Sequence, residues 1–249
     1  MPKIIAMVPA RLDSTRLPKK VLIDIEGLPL VIHTCKRVQL ADALDDVFLV
    51  TDSQLIKDVA IKNDVKCIMT GEHISSSDRI AEASRNVECD IVVNIQGDEP
   101  LVNPEHINKI LSPFLEDDQL EMAVGITQFY KKDSQSDIKV VCDISGDLLY
   151  MSRNDIPNYY NQKNDNLMYK LCSIVPFRKE VLLKFSKWNE TPLEKIEDNH
   201  FLRFLEHGIK IKAVEVKDGK ISVDTKQDLE EVKQLMKIDK IKFQYMKPR

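Results

Sequence analysis

The chain has 249 residues, 43% of them hydrophobic and 31% charged, with a formal net charge of −4. This composition is typical of a globular protein with a full core, and it excludes the strongly basic surface expected of a nucleic-acid-binding protein. We find neither a signal-peptide pattern nor an apolar run long enough to span a membrane, so no membrane partner is expected. The five cysteines are scattered without C-x-x-C spacing, which favours a reducing cytoplasm over a disulfide framework or a zinc site.

The first half of the chain alternates short β-rich runs with helical patterns. Strands are predicted at 3–8, 46–50, 65–69 and 90–95, and helices at 30–41, 53–63 and 78–87. Strand–helix–strand units of this length predict a parallel sheet with helices on both faces. Ligands of such sheets bind beyond the carboxyl ends of the strands. The loops after Val8, Val50, Met69 and Ile95 are therefore expected to form the functional site.

The second half of the chain is less regular. Strands are predicted at 121–129, 138–144, 148–153, 170–177 and 209–216. One helix is predicted over 192–208, ended by Gly208, and a C-terminal helix begins with Asp224 or Thr225 near its N-cap. The segment 158–166, rich in Asn, Gln and Asp, is predicted to be a mobile loop. No internal repeat or linker divides the chain, so a single domain is expected.

A cationic, hydroxyl-rich loop follows the first strand, between Pro9 and Leu22. It carries four cations and two hydroxyls, at Arg11, Arg16, Lys19, Lys20, Ser14 and Thr15. Arginine offers paired hydrogen bonds and lysine a point charge, which suits a polyphosphate. The Walker pattern G-x-x-x-x-G-K-[ST] is absent. The alternative is an ordinary solvated basic loop.

The fourth predicted strand runs directly into two carboxylates, Asp98 and Glu99, within "VVNIQGDEPLVNP". Gly, Asp and Pro are common turn residues, so an ordinary loop is one interpretation. The other is a strand end that holds a metal-binding carboxylate in place.

Several motifs together resemble one family. The segments "VPARLDSTRLPKKVL", "SSSDRIAEA", "NIQGDEP", "LYMSRNDIP", "PLEKIE" and "VDTKQDLE" occur in the order and spacing of the bacterial 3-deoxy-manno-octulosonate (Kdo) cytidylyltransferases. The resemblance covers nearly the whole chain. It implies an α/β fold, with a Rossmann-like, mostly parallel sheet flanked by helices and a smaller α+β extension in the second half. It also implies transfer of CMP from CTP to an acidic 2-keto-3-deoxy sugar with release of pyrophosphate, Mg²⁺ as cofactor, a homodimer, and a role in lipopolysaccharide biosynthesis.

The resemblance also implies roles for individual residues. Asp98 and Asp224 match the metal-binding aspartates, and with Arg11 and Lys20 they form the predicted catalytic set. Glu99 is expected only to orient its loop. The residues expected to bind the nucleotide are Pro9, Ala10, Arg11, Ser14, Arg16, Lys20, Ser75, Arg79, Gln96 and Gly97. The residues expected to bind the acceptor are Arg153, Lys170, Glu197 and His200.

The resemblance divides the single domain into three parts. These are a nucleotide-binding half at about 1–130, an acceptor-binding and dimerisation part at about 131–222, and the C-terminal helix at about 225–240.

The chain departs from the family pattern in two places. Lys19, Ser76 and Ser77 stand in the nucleotide loops where the family has P-G-K and S-G-T. Leu171, His200 and Phe201 stand where the family has a His, a Glu and a Gln that bind the sugar. These replacements leave three hypotheses open: Kdo or a modified Kdo such as an amino variant, another acidic acceptor such as a nonulosonate-like sugar or a phosphonate, and a non-catalytic nucleotide-binding relative.

Overall fold

The computed structural model describes residues 1–13, 17–73, 75–159, 167–217, 219 and 222–246. The chain forms two compact units, Met1–Asn108 with Lys220–Arg249, and Lys109–Gly219. The functional division predicted near residues 130 and 222 stays a prediction. From residue 160 onward, the predicted mobile loop lies outside the described residues.

The regular elements are numbered in chain order. The strands are β1 (Ile4–Pro9), β2 (Asp24–Ile25), β3 (Leu28–Pro29), β4 (Asp46–Thr51), β5 (Lys66–Met69), β6 (Ile91–Ile95), β7 (Met122–Phe129), β8 (Lys139–Cys142), β9 (Leu148–Ser152), β10 (Met168–Leu171), β11 (Ile174–Arg178) and β12 (Ile211–Glu215). The α-helices are α1 (Leu30–Val38), α2 (Gln54–Lys62), α3 (Ser76–Ser84), α4 (Pro104–Glu116), α5 (Lys179–Phe185), α6 (Pro192–Glu197), α7 (Leu202–Glu206), α8 (Lys226–Ile238) and α9 (Lys242–Tyr245). A 3-10 helix lies at Lys20–Leu22.

The first unit contains the predicted parallel sheet. Its strands lie in the order β5, β4, β1, β6, and each neighbouring pair is parallel. β1 and β6 are buried along their whole length, which explains their nearly continuous apolar sequences. The four predicted strands are confirmed to within one residue at each end, and the three predicted helices to within three.

The helices of the first unit pack on this sheet. α1 contacts β1 and β4, α2 contacts β4 and β5, and α3 contacts β1, β4 and β6. Ser53 caps α2 by accepting a hydrogen bond from the Ile56 amide, so of the two predicted caps, Asp52 and Ser53, it is Ser53 that caps the helix. α4 is not among the predicted elements, because Pro113 within it obscures its helical pattern. Neither is α5, which belongs to the second unit.

The C-terminal helix α8 returns to the first unit. Thr225 and Asp228 form a capping box at its start. Its buried residues join a core cluster drawn from distant parts of the chain, namely Leu17, Ile25, Leu30, Leu101, Val223, Leu229, Val232 and Met236. This packing holds the segment just before α8 against the rest of the unit.

The second unit is an α+β arrangement, as predicted. β8 pairs with β9 and β10 in antiparallel fashion, while β12 lies parallel to β7. The single strand predicted at 170–177 is wrong. Leu171 faces Ile126 and Phe177 faces Met122, so six residue steps along this segment oppose four steps along β7. The extra residues form a bulge that divides the segment into β10 and β11.

The single helix predicted over 192–208 is also wrong, because the chain forms two short helices, α6 and α7. Asp198 takes a left-handed conformation with φ of 47° and ends α6. Asn199 then donates its amide to the Glu194 carbonyl and accepts the Phe201 amide on its side chain. Gly208, with φ of 78°, follows the second helix as predicted.

Within the described ranges, no helix is both long enough and apolar enough to cross a membrane.

Candidate active site

The loops at the carboxyl ends of the parallel strands meet at one edge of the first unit's sheet. The Ala10 amide, just beyond β1, donates to the Val50 carbonyl of β4 at 2.9 Å, and the Thr70 amide, just beyond β5, donates to Thr51 at 2.9 Å. Arg11 follows Ala10 and is exposed. The predicted nucleotide residues Ser14 and Arg16 lie outside the described residues.

Three of the four predicted catalytic residues are in direct contact. The Lys20 ammonium donates to Asp98 Oδ2 at 2.7 Å and to Asp224 Oδ1 at 2.9 Å. Its third hydrogen bond goes to the Val223 carbonyl at 2.9 Å. The three charged side chains are only 13%, 24% and 32% exposed, so solvent screens their interactions less than those of a surface ion pair.

Backbone contacts explain why the two aspartates meet. The Val223 amide donates to the Asp98 carbonyl at 3.0 Å, and the Ser222 hydroxyl bonds to the Glu99 carboxylate. Val223 is itself buried in the core cluster beneath α8. Glu99 is thus engaged with Ser222, and its expected role of orienting the loop stays a prediction.

The carboxylates dominate the electrostatics of Lys20. Burial alone would lower the pKa of its ammonium, but the charges and hydrogen bonds of Asp98 and Asp224 outweigh burial and raise that pKa above its ordinary value. Lys20 therefore stays positively charged across the physiological pH range.

Asp98 and Asp224 fit a magnesium ion as a pair of oxygen donors. Each already places an oxygen within hydrogen-bond distance of one common atom, Lys20 Nζ. Among the residues that the structure describes, no group of three or more His, Cys, Asp or Glu side chains could hold a metal. Two carboxylates suit Mg²⁺, which commonly takes its other ligands from water and substrate phosphates.

Gly97 lets the turn of Gln96 to Asp98 rest on the end of β1. A Cβ at this position would lie 2.7 Å from the Pro9 carbonyl oxygen and 3.4 Å from Ala10 Cβ. The Gly97 carbonyl accepts a hydrogen bond from the Thr34 hydroxyl at 3.2 Å. The predicted nucleotide residues Pro9, Ala10 and Gly97 are thus brought together by close backbone packing.

Arg79 joins the ends of β4 and β5. It is 3% exposed and donates to Asp52 Oδ2 at 2.6 Å, to Thr70 Oγ1 at 2.9 Å and to the Gly71 carbonyl at 3.3 Å. Its guanidinium orders the two loops from within.

The remaining predicted nucleotide residues lie at the start of α3 and the end of β6. Ser75 caps α3, because its hydroxyl accepts the Asp78 amide at 3.0 Å. The side-chain amide of Gln96 donates to Ser76 Oγ at 3.1 Å, and the side-chain amide of Asn94 donates to the same hydroxyl at 3.4 Å. These side chains form a polar cluster on the first unit.

Two of the predicted acceptor residues, Arg153 and Glu197, form one network in the second unit. The Glu197 carboxylate accepts the Ser152 hydroxyl at 2.7 Å, the Arg153 amide at 2.8 Å and the Tyr150 hydroxyl at 3.2 Å. Burial alone would raise the pKa of Glu197, but these three hydrogen bonds hold it below its ordinary value. The Arg153 guanidinium in turn donates to the Glu197 carbonyl at 2.8 Å.

The other two, Lys170 and His200, lie apart from this network. Lys170 pairs with Asp137 at 2.8 Å and lies 5.1 Å from the centre of the Phe129 ring. The His200 ring contacts the rings of Phe185 and Phe201, at centroid distances of 6.2 and 4.2 Å. His200 is therefore part of an aromatic cluster.

Several residues that shape the site are not among the predicted site residues. Asn94, in β6, precedes Gln96 by two residues and could have been found from that two-residue period, because it places both side chains on one face. Ser222 precedes the V-D-T motif directly. Glu82 has no signal in the sequence, yet it accepts the Gly71 amide at 3.1 Å and bonds to His73, which holds the loop after β5.

Comparison with known proteins adds independent findings. A model of the cytidylyltransferase family matches residues 5–211. The 3-deoxy-manno-octulosonate cytidylyltransferase of Chlorobium phaeobacteroides is 37% identical over 243 residues, covering 95% of this chain and 98% of that protein. The enzyme of the same name from Flavobacterium johnsoniae is 40% identical over 242 residues, covering 94% and 99%. A solved structure of CMP:2-keto-3-deoxy-manno-octonic acid synthetase complexed with CTP aligns with a TM-score of 0.90 at 33% identity, covering 94% of this chain and 98% of that chain.

Proposed function

The chain belongs to the 3-deoxy-manno-octulosonate cytidylyltransferase family, and we propose on that premise that it transfers CMP from CTP to Kdo with release of pyrophosphate. The observation that carries the proposal is the contact of Lys20 with Asp98 and Asp224 at the carboxyl ends of the parallel strands. That edge is where α/β sheets bind their ligands.

The proposed reaction joins two negatively charged reactants. A hydroxyl of the sugar attacks the α-phosphorus of CTP and gives up its proton to solvent. The bond from the α-phosphorus to the oxygen that bridges to the β-phosphate breaks, and pyrophosphate leaves with that oxygen. Asp98 and Asp224 would hold Mg²⁺, which supplies positive charge at the α-phosphate. Arg11 and Lys20 would bind the phosphates that leave. Positioning and electrostatics carry most of such a transfer, so no covalent nucleophile is required.

The nucleotide base and the sugar are assigned to different residues. We assign the cytidine to the cluster around Gln96, whose amide can donate to cytosine or ribose. We assign the acceptor to Arg153, Lys170, Glu197 and His200 of the second unit. Arg153 and Lys170 carry positive charge suited to the carboxylate of an acidic sugar, while Glu197 can accept hydrogen bonds from sugar hydroxyls.

Magnesium dependence, the location in the cell and the oligomeric state complete the proposal. Magnesium dependence is supported by the pair of hard oxygen ligands, Asp98 and Asp224. A cytoplasmic location is supported by the five scattered cysteines, which lack the C-x-x-C spacing of a metal or redox site. We place the reaction in lipopolysaccharide biosynthesis and expect a homodimer, as family membership suggests.

The test is pyrophosphate release from CTP and Mg²⁺ with a panel of acceptors: Kdo, its amino variant, a sialic-type nonulosonate and a small phosphonate. We expect fast release with Kdo. Asp98→Asn should lower the rate about a hundredfold or more, because a metal ligand contributes several kcal/mol of transition-state stabilisation.

Glu99→Gln is the matched control, because it changes the neighbouring carboxylate and keeps a partner for Ser222. It should retain most of the activity. Release with another acceptor alone would replace Kdo as the substrate. No release with any acceptor, with CTP still bound, would favour a non-catalytic relative, and full activity of Asp98→Asn would remove this residue from the mechanism.

A further inference from the structure

Lys20 binds the same two carboxylates, those of Asp98 and Asp224, that would hold the metal ion. The proposed function asks Asp98 and Asp224 to hold a cation and asks Lys20 to bind phosphate. In the structure, the Lys20 ammonium already contacts both carboxylates. Lys20 and a divalent metal therefore share the same pair of ligands.

The contacts of Lys20 set its charge against that of any metal ion bound by the same two carboxylates. An ammonium has three donors, and those of Lys20 go to Asp98, Asp224 and the Val223 carbonyl at 2.7 to 2.9 Å. A Mg²⁺ ion bound to the same two carboxylates would lie about 2.0–2.1 Å from their oxygens. It would then lie close to the ammonium, and like charges in a poorly screened site repel strongly.

We propose that Lys20 is a tethered competitor of the metal: its ammonium holds Asp98 and Asp224 together, and the pair takes up a divalent cation only with a triphosphate that draws the lysine away. This inference rests on the proposed function for the identity of the triphosphate. The competition itself rests only on the contacts of Lys20.

A triphosphate resolves the competition because it serves both cations. Its oxygens provide the lysine with a new anionic partner and provide the metal with the ligands that two carboxylates lack. The Lys20 side chain has a long, flexible stem and starts from a short 3-10 helix, so its ammonium can change partners without movement of β6 or α8. Metal and nucleotide should then bind cooperatively, each raising the affinity for the other by the same factor.

A different role for Lys20 makes the opposite prediction. If the lysine were a permanent part of the metal site, or served only to stabilise the fold, its removal would leave metal affinity unchanged or reduce it. The two roles are therefore distinguished by the sign of the change.

The experiment measures Mn²⁺ binding directly, by calorimetry and by the electron paramagnetic resonance signal of free Mn²⁺. Wild type is compared with Lys20→Met, which keeps an unbranched side chain one atom shorter and removes the charge, and with Lys20→Gln, which keeps a hydrogen-bond donor. Lys226→Met is the matched control, since it removes an exposed lysine two residues from Asp224. Thermal melting shows that each variant is folded.

We expect both Lys20 variants to bind Mn²⁺ about tenfold or more tightly than wild type without nucleotide, and Lys226→Met to bind as wild type does. A non-hydrolysable CTP analogue, with its own Mn²⁺ binding subtracted, should raise the affinity of wild type strongly and that of the Lys20 variants much less. Equal or weaker Mn²⁺ binding by both Lys20 variants would overturn the inference.

The result of the Mn²⁺ binding experiment can be distinguished from the result of the turnover assay that tests the proposed function. Tighter Mn²⁺ binding by the variants supports the competition even if Kdo is not the acceptor. Conversely, Kdo turnover by wild type with unchanged Mn²⁺ affinity in the variants would uphold the function and reject the competition.

Discussion

At position 97, the absence of a side chain allows the turn that carries Gln96 and Asp98 to touch β1. A Cβ would meet the Pro9 carbonyl at 2.7 Å, so Gly97→Ala must displace backbone. We expect it to lower the free energy of unfolding by about 1–3 kcal/mol and to weaken CTP binding, since the turn holding Asp98 moves. Urea unfolding and CTP titration measure the two effects.

Gly71→Ala is the control for this change. Its Cβ would lie 3.6 Å from the nearest atom, Glu82 Oε2, which is an ordinary contact. Stability and CTP affinity should stay close to those of wild type. If Gly97→Ala behaved in the same way, the close packing of the turn on β1 would not matter for the site.

The sequence assigned single residues to a site where a motif contained them. Asp98 and Asp224 were assigned to one site from their motifs, and the structure brings both to Lys20. The engagement of Arg79 with Asp52 was not predictable, since nothing local in the sequence specifies the partner of a buried guanidinium.

At the scale of elements, a buried ion pair connects α6 to α7. Arg203 Nε donates to Glu194 Oε2 at 2.7 Å, both residues are buried, and the guanidinium lies 4.2 Å from the centre of the Phe185 ring. Arg203→Met should lower the free energy of unfolding by about 3–5 kcal/mol, because it leaves the Glu194 charge buried without its partner. Chemical unfolding followed by the fluorescence of the single tryptophan, Trp188, measures this, since the Trp188 carbonyl also accepts a hydrogen bond from Arg203.

The exposed pair of Lys195 and Glu190, at 3.8 Å, provides the comparison. Lys195→Met should change stability by less than about 1 kcal/mol. A small effect of Arg203→Met would mean that the pair does not secure the junction between the helices.

The same junction explains why one long helix was predicted. The apolar spacing from Leu193 to Leu205 fits a continuous helical face. The break at Asp198 depends on the side chain of Asn199 and on the capping contact with Phe201, which a hydrophobic pattern does not report.

For the whole molecule, the shifted titrations predict loss of stability on acidification. Burial chiefly lowers the pKa of His33 below its ordinary 6.5. The unfolded chain therefore takes up that proton first, and stability falls as the pH drops below about 6.5.

A second loss follows from carboxylates such as Glu194 and Glu197. Burial alone would raise their pKa values, but hydrogen bonds from Arg203 and from the Arg153 amide hold them below the ordinary 4.5. Their contribution is complete above pH 4.5 and disappears as the pH falls through the lowered values.

The melting temperature, measured from pH 8 to pH 3.5, tests both of these losses of stability. We expect a shallow decline below about pH 6.5 and a steeper one below about pH 4.5. His33→Gln should remove the shallow part selectively. A melting temperature constant down to pH 4 would contradict the predicted contribution of His33.

The sequence by itself determined the parallel sheet, the loops at its carboxyl edge and the family, because these depend on apolar periodicity and on motifs of neighbouring residues. Only the tertiary structure decided which charges meet. Lys20 and Asp98 are separated by 78 positions and Lys20 and Asp224 by 204, and they touch because α8 packs its apolar face onto the first unit and carries Asp224 with it. Local patterns reflect the preferences of adjacent residues, whereas such contacts arise from the packing of the whole chain.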